Sequence, residues 1–282
     1  MIYVLIPVHN RLNFTKQIIN CLRDQEIEEE IKLIVINDGS SDGTKEWLNN
    51  QKDIETLDGN GKLLWGGAIE LGLKYIFKNN LKNDWILLIN NDVFIAKNYF
   101  KTLLNLGKKY YPAIIGSIVK STKEGNKVIS AGIKINLFDF SVNDIANSKN
   151  FKLSKKEVTE VDVLSGRGTL YPANSLKQIL PLNINFYPHY FGDYIFSLKV
   201  KKNNFRLLIS NKVCVKTEED FLQKQRIRKK MNILKKIFSR KSSSYFPARI
   251  YFWWLASNKM QRLSLPLRLI ISIILRGLKY KN

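Results

Sequence analysis

Residues 32–44 read KLIVINDGSSDGT, and this stretch decides the fold. Lys32–Ile36 is an apolar run too short for a surface helix, which predicts a buried strand. Asn37-Asp38-Gly39-Ser40-Ser41 closes it with turn-forming residues. Asp42 is then placed to cap a helix that begins near Gly43 and carries Trp47 and Leu48. The same strand–turn–helix unit recurs on either side. Upstream, Ile2–Pro7 (IYVLIP) reads as a strand, and Asn13–Arg23 has helical spacing at Phe14, Ile18, Ile19 and Leu22. Downstream come a helix over Ala68–Phe77, a strand over Trp85–Ile89 ending at Asn90-Asn91-Asp92, a helix over Lys97–Tyr110 and a strand over Ala113–Val119. Strands alternating with helices predict an α/β, Rossmann-like fold with a mostly parallel sheet covered by helices. From about Gly116 to Val163 the pattern changes to short alternating runs, Lys127–Ile135 and Val158–Val163, which predict antiparallel strands. Tyr194–Lys202 reads as helix, and Phe205–Ile209 and Val213–Val215 as strands.

The chain has 282 residues, 45% hydrophobic and 25% charged, values that exclude wholesale disorder and a fibrous architecture. Its two cysteines, Cys21 and Cys214, lie far apart, which excludes a disulfide scaffold or zinc knuckle and fits a reducing compartment. MIYVLIPVHN runs straight into a strand, so the expectation is a cytoplasmic protein without an export signal.

The formal charge of +22 is unevenly placed: 16 Lys and Arg, and no Asp or Glu, follow Asp220. This separates a nearly balanced body from a uniformly cationic tail; with the span of the resemblance given below, the expected division is a body of residues 1–215 and a basic amphipathic helical extension of residues 216–282. The extension has helical spacing in Phe221–Phe238, a polar break at Ser239–Ser244, and apolar-basic stretches at Tyr245–Leu255 and Leu263–Leu278. Seven uncharged residues separate Arg268 from Arg276, far fewer than the roughly 20 needed to span a bilayer. Cations interleaved with Trp, Phe, Tyr and Ile therefore predict a segment lying peripherally on an anionic membrane surface, not a nucleic-acid binder. The competing reading is a helix packed on the body with a solvated basic face.

In an open parallel sheet, ligands bind outside the carboxyl ends of the strands. Pro7-Val8-His9-Asn10, Asn37–Ser41 and Asn90-Asn91-Asp92 all fall at such ends. Each alone is an ordinary turn sequence; together they predict one functional rim.

IPVHNR, VINDGSSDGT, GNGKLLWGGAIELG and WILLINNDV resemble the inverting glycosyltransferases of family 2, which have the GT-A fold. VLSGRGTLYP and YFGDYIFSLKVKKNNFRLL resemble that family's acceptor-side glycine motif and acidic-residue helix. The resemblance spans about residues 1–215, and LLWGGA is similar to bacterial transferases of the rhamnosyltransferase type. It implies a nucleoside diphosphate sugar as donor, and a glycan or polyprenyl-linked acceptor at the inner face of the cell membrane in polysaccharide biosynthesis.

It also implies roles. Asp38 would accept a hydrogen bond from the base, with Pro7 and the Val8–Asn10 backbone bordering base and ribose. Trp65, Gly66 and Gly67 would shape the sugar pocket. The family's Asp-x-Asp metal motif is represented by Asn90-Asn91-Asp92, which leaves Asp92 as ligand for Mg²⁺ or Mn²⁺ and Asn90 and Asn91 beside the donor. Where many relatives carry a metal-binding histidine this chain has Lys216, an alternative fixed cation for the diphosphate. Asp193 matches the second residue of the family's Glu-Asp pair, the first being Gly192, and is the expected general base. Gly166 and Arg167 would approach acceptor or diphosphate. His189, four positions before the base, is either a contact to acceptor or phosphate or a structural residue beside its Pro and Tyr neighbours. A nucleotidyltransferase and a noncatalytic membrane- or nucleic-acid-binding adaptor are the rival functions.

Overall fold

The computed structural model of the chain describes residues 1–78, 84–148, 150–187, 189–218, 238–240, 242 and 245–265. The predicted alternation is present as β1 (Ile2–Val8), α1 (Leu12–Arg23), β2 (Ile31–Asn37), α2 (Thr44–Asn49), β3 (Ile54–Asp58), α3 (Leu64–Ile76) and β4 (Trp85–Leu88). A two-residue β5 (Val93–Phe94) precedes α4 (Tyr99–Lys109) and β6 (Ala113–Ser121). The antiparallel part follows as β7 (Val128–Ser130), β8 (Ile133–Asn136), β9 (Ser141–Asp144), β10 (Val158–Glu160) and β11 (Thr169–Pro172). After α5 (Ala173–Lys177) and α6 (Gly192–Lys202) come β12 (Arg206–Thr217) and α7 (Phe246–Ala256).

Along the central sheet the order is β10-β12-β6-β11-β4-β1-β2-β3. β4, β1, β2 and β3 run parallel, and β11 enters antiparallel between β4 and β6. Because β1 lies between β2 and β4, the carboxyl ends of these three strands adjoin, and the three polar clusters share one rim. The reversed β11 matters most for the site. Its first residue, Thr169, pairs with Leu88 at the end of β4, so Gly166–Gly168 reach the same rim from the opposite chain direction. The Gly168 amide donates to Leu88 O at 3.0 Å.

Strand alternation assigns the core to two faces. Leu5, Ile34, Ile36 and Leu88 pack with Ile69, Leu73 and Ile76 of α3 and with Phe196 of α6. Val4, Ile6, Val35 and Leu87 pack on the other side with Ile18 and Ile19 of α1 and with Phe100 and Leu103 of α4. All lie in the buried core, as a sheet covered on both faces requires.

Three boundaries differ from the sequence pattern. α3 starts at Leu64, not Ala68, because the side chain of Asp38 accepts the Leu63 and Leu64 amides and secures a glycine-containing first turn. β3 has no sequence counterpart above, since Ile54–Asp58 is only weakly alternating and depends on β2 for its pairing. Phe205–Ile209 and Val213–Val215 form one strand, β12, whose register against β6 shifts between Ser210 and Cys214.

In the extension, Tyr245–Leu255 is helical as α7 and contributes Ala248, Phe252 and Trp253 to the buried core. Phe252 packs on Phe191 at 5.3 Å, and Trp253 meets Phe140 edge-on at 5.0 Å. One face of this part of the extension is thus docked on the body. Phe221–Phe238 and Leu263–Leu278 lie outside the described residues except for Phe238 and residues 263–265. Among the described residues no helix is long and apolar enough to cross a membrane.

Candidate functional site

A cavity of about 290 Å³ opens at the rim, lined by Pro7, Val8, His9, Asp38, Gly61, Leu64, Trp65, Ala68 and His189. Asp38 leaves β2 with its amide donating to Val8 O at 2.8 Å, which joins the ends of β1 and β2. Its carboxylate accepts from Leu63 N at 3.2 Å and Leu64 N at 2.9 Å. Its carbonyl lies 2.6 Å from His9 Nδ1. The glycine loop presses close: a Cβ on Gly59 would stand 2.7 Å from Asp38 Oδ1, and one on Gly39 2.8 Å from Gly61 Cα. Gly39 also has a φ of 66°, so the turn after Asp38 needs glycine on both counts.

Trp65 follows on α3 and spans the rim. Its Nε1–H donates to Asn90 Oδ1 at 3.1 Å. Cβ atoms on Gly166 and Gly192 would stand 2.6 Å and 2.8 Å from opposite edges of its six-membered ring. The indole therefore lies between two residues without side chains, and Phe196 packs on it at 5.5 Å. Asn90 and Gly192, the two positions at which the resemblance implies acids, both lie beside this tryptophan.

Asp193 sits in the first turn of α6, where the helix dipole favours an anion. Its Oδ2 accepts from Gly166 N at 2.9 Å and its Oδ1 from Tyr194 N at 2.9 Å. Burial raises its pKa above the usual carboxylate range, while those two amides and the charge of Arg167 act in the opposite direction. The result is a carboxylate made more basic and oriented by two fixed amide donors.

Asp92 is buried at the end of the third cluster. Arg11 Nη1 donates to its Oδ2 at 2.9 Å, and its Oδ1 is buried with no hydrogen-bond partner. An orphaned carboxylate oxygen is the kind of donor a hard divalent cation takes as one of its ligands. Among the described residues no group of three or more His, Cys, Asp or Glu forms a protein-only metal cage.

Asn10 and Arg11 both have positive φ, as do Leu64 and Phe191. Left-handed backbone at non-glycine residues costs energy and concentrates where a fold holds functional groups in place. Here it aims Arg11 at Asp92, starts the turn of Trp65, and precedes Gly192-Asp193.

Pro7, Val8, Asp38 and Trp65 line the cavity, and Asn90, Gly166 and Asp193 join it through the hydrogen bonds and contacts of Trp65 and Gly166. Asn10 ties the β1 loop to the β2 loop, its Oδ1 accepting from Ser41 N at 2.9 Å. Asn91 turns inward and donates to buried Thr15 at 3.1 Å, which anchors the loop on α1. Gly66 and Gly67 lie inside α3, and the small size of Gly67 admits Ile184. Lys216 is exposed on β12 with Phe94, two residues after Asp92, as its register partner. His9, within the Val8–Asn10 stretch expected to border base and ribose, lines the cavity together with Gly61, Leu64 and Ala68, for which the sequence carries no individual expectation.

The chain resembles known proteins over this same region. The profile of glycosyl transferase family 2 matches residues 3–180, more than half of the chain. An uncharacterised glycosyltransferase of Mycoplasma genitalium is 28% identical over 131 residues, 43% of this chain and 42% of that protein. Glycosyltransferase GlyA of Streptococcus pneumoniae serotype 4 is 23% identical over 181 residues, 63% of this chain and 25% of that protein. The chain thus spans less than half the length of these curated relatives. Among solved structures, GalNAc-T7 with UDP, GalNAc and Mn²⁺ superposes with a TM-score of 0.60 at 12% identity, covering 77% of this chain and 43% of that one. S. aureus TarS 1-349 in complex with UDP superposes at 0.54 and 16% identity, covering 77% and 60%. These neighbours share the mixed α/β architecture built on a mostly parallel sheet. With that architecture, and with the profile matched across the rim that carries Asp38, Trp65 and Asp92, the chain belongs to glycosyl transferase family 2 and has the GT-A fold.

Proposed function

We propose that this glycosyltransferase moves a hexosyl group from a nucleoside diphosphate sugar to an acceptor hydroxyl with inversion, Asp193 acting as the general base. The observation that carries the reading is the state of Asp193: a carboxylate raised in pKa by burial, yet oriented by the amides of Gly166 and Tyr194. Such a group takes a proton from a hydroxyl more readily than an ordinary surface aspartate. The acceptor oxygen loses its proton to Asp193 and attacks the anomeric carbon opposite the diphosphate. The carbon–oxygen bond to phosphate breaks, its electron pair leaves with the nucleoside diphosphate, and the configuration inverts. Asp38, Pro7 and Val8 bind the base end, and Trp65 with Asn90 frames the sugar.

Asp92 Oδ1 would hold Mg²⁺ or Mn²⁺, which neutralises charge on the departing diphosphate. Arg11, already at 2.9 Å from Asp92, brings a fixed positive charge to the same place, and Lys216 is a further candidate cation. Support for a nucleotide-sugar donor comes from TarS, which shares the fold and has been crystallised with UDP and with UDP-GlcNAc. The Mn²⁺ present with GalNAc-T7 supports the cation. Family membership favours a transferase over the nucleotidyltransferase and adaptor readings. The division into a catalytic domain of 1–215 and a membrane-associating extension of 216–282, working at the inner face on glycan or polyprenyl-linked acceptors for cell-surface polysaccharide, belongs to the same proposal.

Asp193→Asn tests it. Nucleotide-sugar binding should persist while transfer falls by at least about a thousand-fold. Turnover within ten-fold of the parent would remove Asp193 from the mechanism, and an unchanged anomeric configuration in the product would remove inversion.

A further inference from the structure

The outer face of α7 carries a row of apolar side chains that the fold leaves partly exposed. Phe246 is 39% exposed, Ile250 37% and Trp254 46%. Their spacing of four residues puts them on one stripe of the helix. Met260 and Leu263, 77% and 81% exposed, continue the apolar surface in the residues that follow. Singly exposed apolar residues are ordinary; a contiguous set on one helix face marks an interaction surface.

The helix is not free to turn this row inward. Its opposite face is committed to the core through Ala248, Phe252 and Trp253. Tyr251 is stacked at 5.8 Å on Tyr187 and at 5.4 Å on exposed Phe186. Phe252 rests on Phe191 and Tyr194, the residues flanking Gly192-Asp193. The exposed stripe is therefore held at a set orientation to the segment that carries the proposed base.

Charge identifies the partner. Arg262 lies over the Trp254 ring at 4.9 Å, and its Nε donates to Trp254 O at 3.0 Å. That arrangement pairs an amphipathic aromatic with a cation, as at a membrane–water boundary. Exposed Lys259 lies close by in sequence, and residues 221–282 contain no Asp or Glu. An acidic protein partner would satisfy the cations but not a Phe-Ile-Trp-Met-Leu row. A bilayer interface with anionic headgroups satisfies both.

We infer that the Phe246–Ile250–Trp254 face of α7 is the docking surface of this protein on an anionic lipid bilayer, and that it fixes how the Asp193 segment faces that bilayer. The inference deepens the proposed membrane-associated reading and rests on it only for the identity of the acceptor; docking itself is measured without catalysis.

The experiment is co-flotation of the full chain with vesicles of phosphatidylcholine alone and of phosphatidylcholine mixed with phosphatidylglycerol. The parent should float with the mixed vesicles only. Phe246→Ser, Ile250→Ser and Trp254→Ser combined should weaken partitioning at least about ten-fold. Lys259→Ala with Arg262→Ala should lessen its dependence on anionic lipid. The three apolar side chains lie away from the nucleotide-sugar cavity, so the variants should stay folded, with a melting temperature lowered by a few degrees at most, and keep the parent's thermal shift with nucleotide sugars, which separates this inference from the catalytic one. Equal flotation of the triple variant would overturn it. So would flotation of the parent only after residues 266–282 are removed, or a parent dimer that the triple variant dissociates without any lipid binding. Those two results would assign the stripe to the chain's own end or to a second copy.

Discussion

Gly166→Ala probes whether the Trp65 indole is the spacer that positions Asp193. The new methyl would stand 2.6 Å from Trp65 Cζ2, about an ångström inside the ~3.5–4.0 Å at which carbon atoms rest. The ring cannot simply retreat. Its Nε1 is tied to Asn90, and Phe196 packs on the ring at 5.5 Å. Gly166 is outside the left-handed region, so the clash alone carries the cost. Overpacking of this kind costs about 1–3 kcal/mol, a fall in Tm of several degrees for a chain of this size. The other relaxation slides the Gly166 amide away from Asp193 Oδ2, now at 2.9 Å. That amide lowers the carboxyl's pKa, so losing it raises the pKa. The base acts ionised, and the acid limb of kcat/KM therefore moves to higher pH. A hydrogen bond to a charged group contributes about 1.5–3 kcal/mol, which corresponds to a shift of roughly one to two pH units. Below the limb, activity drops about ten- to a hundred-fold. Melting curves and pH–rate profiles read both effects. Adding Trp65→Leu removes the ring that the methyl meets and should restore Tm more than additivity allows. A Gly166→Ala protein with the parent's Tm and pH profile would falsify the spacer role, as would strict additivity in the double variant.

Asp38→Asn leaves one carbonyl oxygen where two amides now bond, so stability should fall by about 1–3 kcal/mol and the thermal shift with nucleotide should vanish. A preserved shift would take Asp38 out of the nucleotide site. Chelation with EDTA should stop transfer and Mn²⁺ should restore it in the parent but not in Asp92→Asn; activity that survives chelation would assign the diphosphate charge to Arg11 or Lys216. Tyr99→Phe removes a buried hydroxyl that lies 2.6 Å from Ser117 Oγ and 3.2 Å from Gly168 O. It should lower stability by about 1 kcal/mol, seen as a lower denaturant midpoint, with kcat unchanged; an altered kcat would show that Tyr99 does more than brace the glycine loop.

The alternation of short apolar runs and amphipathic stretches was enough to read β1, α1, β2, β4, α4 and β6, because buried parallel strands and one-sided helices leave local periodicities. It was also enough to place the three polar clusters at strand ends. β3 escaped because an edge strand is defined by its partner more than by its own pattern, and the start of α3 escaped because it is set by a carboxylate 25 residues away. The ranking of site residues was less legible. Asn90 and Asn91 are identical neighbours, yet one faces Trp65 and the other is buried against Thr15. Nothing in the letters distinguishes them.

Local chemistry along the chain thus determined the α/β class, the family motifs and the acids available for catalysis, since those depend on residue type and spacing. Tertiary structure alone decided that Arg11 meets Asp92 and that Trp65 fills the gap between two glycines 26 residues apart in the chain. It also decided that α7 buries one face beside the Asp193 segment and exposes the other. Those relations join residues far apart in sequence, and only the strand order and the reversal at β11 bring them within reach.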